Sequence, residues 1–118
     1  MIKPSEQYVA GADFGSDSVR VVILDAANGE VAGSHVVYYP RWKKGLFCNP
    51  REDRFRQHPL DYVESLAEAV RSAVKQADEA SPGSPSIAGK IRAISVDTTG
   101  SAPVLADANG TPLALLDS

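Results

Sequence analysis

Cysteine is almost absent: Cys48 is the only one in 118 residues. No internal disulfide can form, and a lone thiol points to a reducing, cytoplasmic compartment. Nothing near Cys48 in sequence resembles a base paired to a reactive thiol. Histidine is scarce too. His35 and His58 stand far apart, so no His/Cys cluster offers metal-ligand spacing, and no Walker-type glycine–lysine loop occurs. Positive charge is not in excess: 12 Lys and Arg against 15 Asp and Glu leave a net charge of -3 and a pI near 5.3. No overall basic field therefore invites nucleic acid or an anionic membrane, and neither partner is expected. No apolar run reaches the length of a membrane span. The opening Met1–Gln7 is polar and leads into no long apolar core, which gives no support for a signal peptide.

What is there is ordinary for a globular chain, 43% hydrophobic and 23% charged, and its length fits one small domain. Tyr8 to Ala12 is a short apolar run that ends at Asp13 and meets Gly15 and two serines, a strand breaking into a tight turn. Val19 to Leu24 resumes as a β-branched, buried strand interrupted only by Arg20. Ala27-Asn28-Gly29 supplies a hairpin turn, since Asn-Gly tolerates positive φ, and Glu30 to Tyr39 alternates as a third strand. Pro40 to Pro59 follows neither period. Its basic residues stand among Trp42, Phe47 and Phe55, which predicts a long ordered excursion with the aromatics as packing anchors.

Leu60 to Ala80 is the clearest helix. Val63, Leu66, Ala67, Val70, Val74 and Ala77 recur at three and four, one apolar stripe. Pro59 suits the first turn, and Asp61 and Glu64 favour the positive end of the dipole. Ser81 to Ser86 ends the helix. Ile91 to Val96 reads as a buried strand delivering Asp97 at its tip, and Pro103 to Leu116 as a hairpin around Asn109-Gly110. The predicted class is α/β: an antiparallel three-strand meander, one long helix, a further strand and a hairpin. That order opens the RNase H-like fold and the sugar kinase, actin and heat-shock ATPase folds built on it.

Two strand tips are candidates for chemistry. In Asp13-Phe14-Gly15-Ser16-Asp17-Ser18-Val19-Arg20, a hairpin turn can aim backbone N–H groups and two hydroxyls into one concavity, which suits phosphate oxygens. Gly15, without a Cβ, lets a ligand approach the backbone, and Asp13 stands where a carboxylate can hold Mg²⁺ directly or through water. The plainer reading is a turn built of ordinary turn residues. Asp97-Thr98-Thr99-Gly100-Ser101 repeats the theme, and strand ends of open α/β sheets line ligand crevices. Its plainer reading is a capped turn. If the two strands are neighbours, Asp13 and Asp97 face one cleft.

Several segments together resemble the FGGY carbohydrate kinases. The stretch from Asp13 to Arg20 looks like their first phosphate-binding motif. Tyr39-Pro40-Arg41-Trp42, Gly45, Phe47-Cys48, Phe55-Arg56, His58-Pro59 and Asp61-Tyr62 look like the bacterial L-ribulokinase branch. Val96-Asp97, Thr99-Gly100-Ser101 and Pro103 are similar to the segment that family places beside the sugar. The resemblance runs from about Tyr8 to the C-terminus. It implies ATP- and Mg²⁺-dependent phosphorylation of ribulose to ribulose 5-phosphate, with sugar and nucleotide as small-molecule partners. It places Gly15, Ser16, Asp17, Ser18 and Arg20 at the ATP phosphates, Asp13 at the metal, and Asp97, Thr99, Gly100 and Ser101 at the sugar. Phosphoryl transfer needs positioning and charge neutralisation more than covalent chemistry, so such residue types are apt.

Members of that family are several times longer, with two RNase H-like domains closing on a cleft. The resemblance therefore makes residues 1–118 an incomplete first domain, with the second domain, the aspartate base and the adenosine site in sequence beyond it. No catalytic base is assigned here, and the segment alone is expected to be inactive. A cut sheet leaves unpaired edges, which predicts self-association or marginal stability. Two other readings stand beside this one. A metal nuclease would need Asp13 and Asp97 joined by further carboxylates, with Glu64 or Glu68 as candidates, and a non-catalytic segment would bind a partner or its own copies.

Overall fold

Strand alternation sorts side chains to two faces, and the second strand shows it most cleanly. Val19, Val21 and Ile23 are fully buried while Arg20 between them is exposed. In the computed structural model, which describes residues 6–116, these residues lie in β2 (Ser18–Asp25), the second strand of a four-stranded sheet. Of the polar lead-in, Met1–Ser5 lies outside the described residues, as do Asp117 and Ser118. β1 (Tyr8–Phe14) and β3 (Val31–Tyr38) flank β2 and pair with it antiparallel, the predicted meander. β6 (Ile91–Thr98) pairs parallel with β1 on its other side, giving the order β3-β2-β1-β6. The protein is a small α/β unit with a mixed sheet and one long helix.

The Asn28-Gly29 turn forms with Gly29 at φ 74. It is looser than a two-residue hairpin, because its closing bond runs from Asp25 N to Glu30 O (2.9 Å). The hairpin expected over Pro103 to Leu116 shrinks to a single bridge, Ala106 to Pro112, around a turn with Gly110 at φ 80. A 3-10 turn at Leu113–Leu115 follows it. The excursion has local structure, but the aromatics anchor it only in part: Trp42 packs against the core, whereas Phe47 and Phe55 are 44% and 52% exposed. It holds a one-turn helix α1 (Pro40–Lys43), a pair of two-residue strands β4 (Cys48–Asn49) and β5 (Arg54–Phe55), and a 3-10 turn over Pro50–Glu52 between them.

The long helix α2 (Pro59–Glu79) appears within a residue of its expected bounds, capped by His58, whose Nδ1 accepts from Leu60 N. Its buried face differs from the large apolar stripe the sequence suggests. The positions turned to the sheet are Asp61, Ser65, Ala69, Ala73 and Ala77, one every four residues. Leu66, Val70 and Val74 flank that stripe partly buried, and Val63 is 63% exposed. The cause is close approach. A Cβ built on Gly33 of β3 would collide with the carbonyl oxygen of Ala73, so the helix backbone rests almost on the strand and only small side chains fit between.

β6 departs from expectation in the same way. It is not buried: Ile94 and Val96 are 52% and 55% exposed. Their register opposite Ala10 and Ala12 puts them on the helix side of the sheet. However, α2 packs over β2 and β3 and leaves that part of the sheet uncovered among the described residues.

Candidate functional site

Parallel pairing of β1 with β6 sets Asp13 directly opposite Asp97, and antiparallel pairing of β1 with β2 sets Arg20 opposite Asp13. Residues in register share a face, so Arg20, Asp13 and Asp97 form a row across three strands. That face is the one turned away from α2, because Ala12 and Val19, their chain neighbours, are in the core. All three are exposed. Thr99 N donates to Phe14 O (3.1 Å) and carries the β1–β6 pairing one step past the strand ends. Thr99 thereby comes beside Gly15.

The turn joining β1 to β2 is closed by Gly15 N donating to Ser18 O at 2.8 Å. A Cβ on Gly15 would lie 3.3 Å from that same oxygen, so glycine suits the bend sterically. The protein fastens the turn from outside as well. The Tyr39 hydroxyl donates to Gly15 O (3.1 Å) and Gln57 Nε2 donates to Ser16 O (3.1 Å). Tyr39 N donates to Asp17 O (2.9 Å). Tyr39 is fully buried. Its ring stands edge-on to Tyr62 (centroids 5.3 Å apart, 89°), which in turn meets Phe14 edge-on (5.9 Å, 83°). Burial raises the Tyr39 phenol far above its ordinary value, helped by the phenol of Tyr62 and the carboxylates of Asp17, Asp13 and Asp61. Burial, then the Asp61 charge, likewise raises Tyr62. Both phenols stay protonated, so Tyr39 remains a donor.

A cleft of about 270 Å³ opens at the strand tips, lined by Phe14, Gly15, Tyr62, Thr98, Thr99 and Ala102 among others. It adjoins a wider one of about 680 Å³ that shares Tyr62 and Ala102 and adds Arg56, Gln57 and Ser101. The structure thus brings Gly15 and Thr99 to one cleft and Ser101 to its extension. Gly100 sits in the turn between them, exposed. The expectation that Asp13 and Asp97 face this cleft is not met: their strands are neighbours, but strand alternation puts both carboxylates, with Arg20, on the sheet face away from it. Ser16 and Asp17 are exposed at the apex, and Ser18 begins β2. No group of three or more His, Cys, Asp or Glu side chains that could hold a metal occurs among the described residues. No helix among them is long and apolar enough to cross a membrane.

One polar centre escaped sequence reasoning. Asp61 is fully buried and accepts from Arg41 N (3.3 Å), Trp42 N (3.1 Å) and Arg41 Nη1 (3.0 Å). α1 has no side-chain cap of its own and begins with a proline. Asp61 therefore supplies from α2 the acceptor that the free α1 amides need. Arg41 also binds Glu64 (2.8 Å), and those two hydrogen bonds, Glu64 first, hold its guanidinium firmly cationic. The Arg41 hydrogen bond holds the Glu64 carboxyl below its ordinary range. The helix-dipole reading of Asp61 and Glu64 misses this, because a partner twenty residues upstream leaves no local signal.

A glycine turn whose carbonyls are each hydrogen-bonded, next to a carboxylate-tipped parallel strand at one end of a mixed sheet, places the chain among α/β proteins with polar, small-residue strand tips. No protein-family model matches the chain. Among curated proteins it is 44% identical over 115 residues to a ribulokinase of Vibrio parahaemolyticus, covering 98% of this chain and 19% of that one. A ribulokinase of Geobacillus thermodenitrificans is 33% identical over 117 residues, with 93% and 19% covered. A third, from Halalkalibacterium halodurans, is 31% identical over 115 residues with the same coverage. Of solved structures, a reductive activator for corrinoid,iron-sulfur protein superposes at a TM-score of 0.43 with 20% identity, over 81% of this chain and 15% of its own. That match is too loose to carry an argument. Over nearly its whole length the chain is homologous to ribulokinases, as its motifs indicate, and it spans about a fifth of their length.

Proposed function

We propose that the chain is the opening segment of a ribulokinase of the FGGY type, an incomplete RNase H-like first domain of a protein that passes the ATP γ-phosphate to ribulose. The observation that carries this reading is the side-by-side placement of the two strand tips, Asp13 in register with Asp97 and Thr99 beside Gly15. In it, the amides of Ser16 and Asp17 and the hydroxyls of Ser16 and Ser18 receive phosphate oxygens. Gly15 keeps the approach open and Arg20 adds positive charge nearby. Asp13, exposed at the tip, holds Mg²⁺ directly or through water. Magnesium-bound ATP supplies the transferable phosphoryl group, while this segment orients and neutralises. Asp97, Thr99, Gly100 and Ser101 border the sugar, whose hydroxyls need paired donors and acceptors. The base that takes the ribulose proton belongs to sequence outside this chain, so the segment alone turns over no ATP.

The nuclease reading finds less support. Glu64, one of its two candidate carboxylates, lies on α2 across the sheet from Asp13 and is engaged by Arg41 of α1. A graft tests the kinase reading. Replacing the matching fifth of the Vibrio parahaemolyticus ribulokinase with this chain should give ribulose-dependent ADP formation, and Gly15→Val in the graft should abolish it. A graft that folds and shows no ribulose-dependent ADP formation would refute the reading, as would sugar-dependent ATP consumption by the 118-residue chain alone.

A further inference from the structure

The β1–β2 turn is unusual in how its carbonyls are spent. Gly15 O accepts the Tyr39 hydroxyl, Ser16 O accepts Gln57 Nε2, Asp17 O accepts Tyr39 N and Ser18 O accepts Gly15 N. In a trans peptide the C=O of one residue and the N–H of the next point in opposite directions. Drawing Gly15 O to Tyr39 therefore turns the Ser16 N–H away, and drawing Ser16 O to Gln57 does the same for the Asp17 N–H. Those two amides donate none of the turn's backbone bonds. A free turn would spend part of its time with carbonyls outward, presenting negative ends to an anion.

Tyr39 and Gln57 are the two ends of the excursion. Tyr39 precedes α1 and Gln57 stands one residue before the cap of α2. Both ends are fixed independently of the turn, α1 by the buried Asp61 and α2 by packing on the sheet. The excursion is thus a brace with two attachment points on one turn.

We propose that Tyr39 and Gln57 are positioning residues that hold the Gly15–Ser18 turn with its carbonyls inward and its Ser16 and Asp17 amides ready for an anion. This rests on reading the turn as the phosphate wall. The gain is pre-organisation: amides already aimed lose no ordering entropy on binding. Tyr39 acts from a fully buried position, through the turn's backbone.

The test uses the isotopically labelled chain with Tyr39→Phe, which keeps the buried ring, and Gln57→Ala, at a less buried position. Two quantities are read, backbone order parameters without ligand and affinity for magnesium triphosphate. In the unaltered chain Ser16 and Asp17 should be as ordered as the sheet, about 0.85. In each variant they should drop, toward about 0.6, with Val19 to Ile23 unchanged. Triphosphate affinity should fall roughly tenfold per lost hydrogen bond. Variants that keep both the order and the affinity of the unaltered chain would overturn the positioning role alone. An unaltered chain whose Ser16 and Asp17 amides ignore triphosphate would overturn the phosphate reading and the role with it.

Discussion

Removing the carboxylate of Asp61 would strand two α1 amides and leave the Arg41 guanidinium with Glu64 alone. Asp61→Ala is expected to destabilise by about 3 kcal/mol, the scale for a buried charge pair broken on one side, read as a shift in the denaturation midpoint. The loss should exceed that of Glu64→Ala, whose carboxylate is half exposed. Ser65 makes the opposite case. Its hydroxyl is buried and finds no partner. Ser65→Ala should therefore be neutral or stabilise by up to about 1 kcal/mol, since it removes a desolvated polar group without opening a large void. Only part of this scale is legible in the sequence. Asp13, Gly15 and Asp97 announce themselves, because strand ends flowing into small polar residues have a recognisable composition. Tyr39 and Gln57 do not. A side chain that bonds a distant carbonyl can be any donor of the right reach, so their partners follow only from the fold.

At the scale of elements, the meander, the helix and the returning strand are readable from period and turn chemistry, while the buried face of α2 is not. Periodicity favours the largest apolar residues, yet the contact with β3 selects the smallest. Gly33→Ala tests that contact directly. It should cost roughly 1–3 kcal/mol, as overpacking does, because the obstacle is the Ala73 backbone and cannot rotate aside. The far end of α2 depends on pH. The Asp78 carboxylate accepts from Ser86 Oγ (2.7 Å) and Ile87 N (2.9 Å). These bonds hold it below its ordinary value of 3.8. Because the folded value is the lower one, its contribution is fully present above the unfolded value and is lost as pH falls through the folded one. The melting temperature should hold steady from neutral pH down to the carboxylate range and then decline. Asp78→Asn should flatten part of that decline and leave the neutral plateau lower.

On the scale of the whole molecule, the sheet is only half clothed. Among the described residues, Ile94 and Val96 on β6 lie uncovered on the helix side, and β6 is the last strand of the sheet, with an open outer edge. The sequence marks β6 as a buried strand because its residues are suited to burial. What covers such residues is a matter of the remaining architecture and not of their own composition. Sedimentation of the chain should accordingly show concentration-dependent association, and Val96→Lys should weaken it. A compact monomer at all concentrations with a cooperative melt would count against an uncovered interface. The central claim is that the Gly15–Ser18 turn beside the β6 tip receives nucleotide phosphates, and amide chemical-shift mapping with magnesium ATP tests it most directly. Shifts concentrated at Gly15, Ser16, Asp17 and Thr99 are predicted. Shifts confined to the arginines and lysines of residues 41–56, with the turn silent, would contradict it.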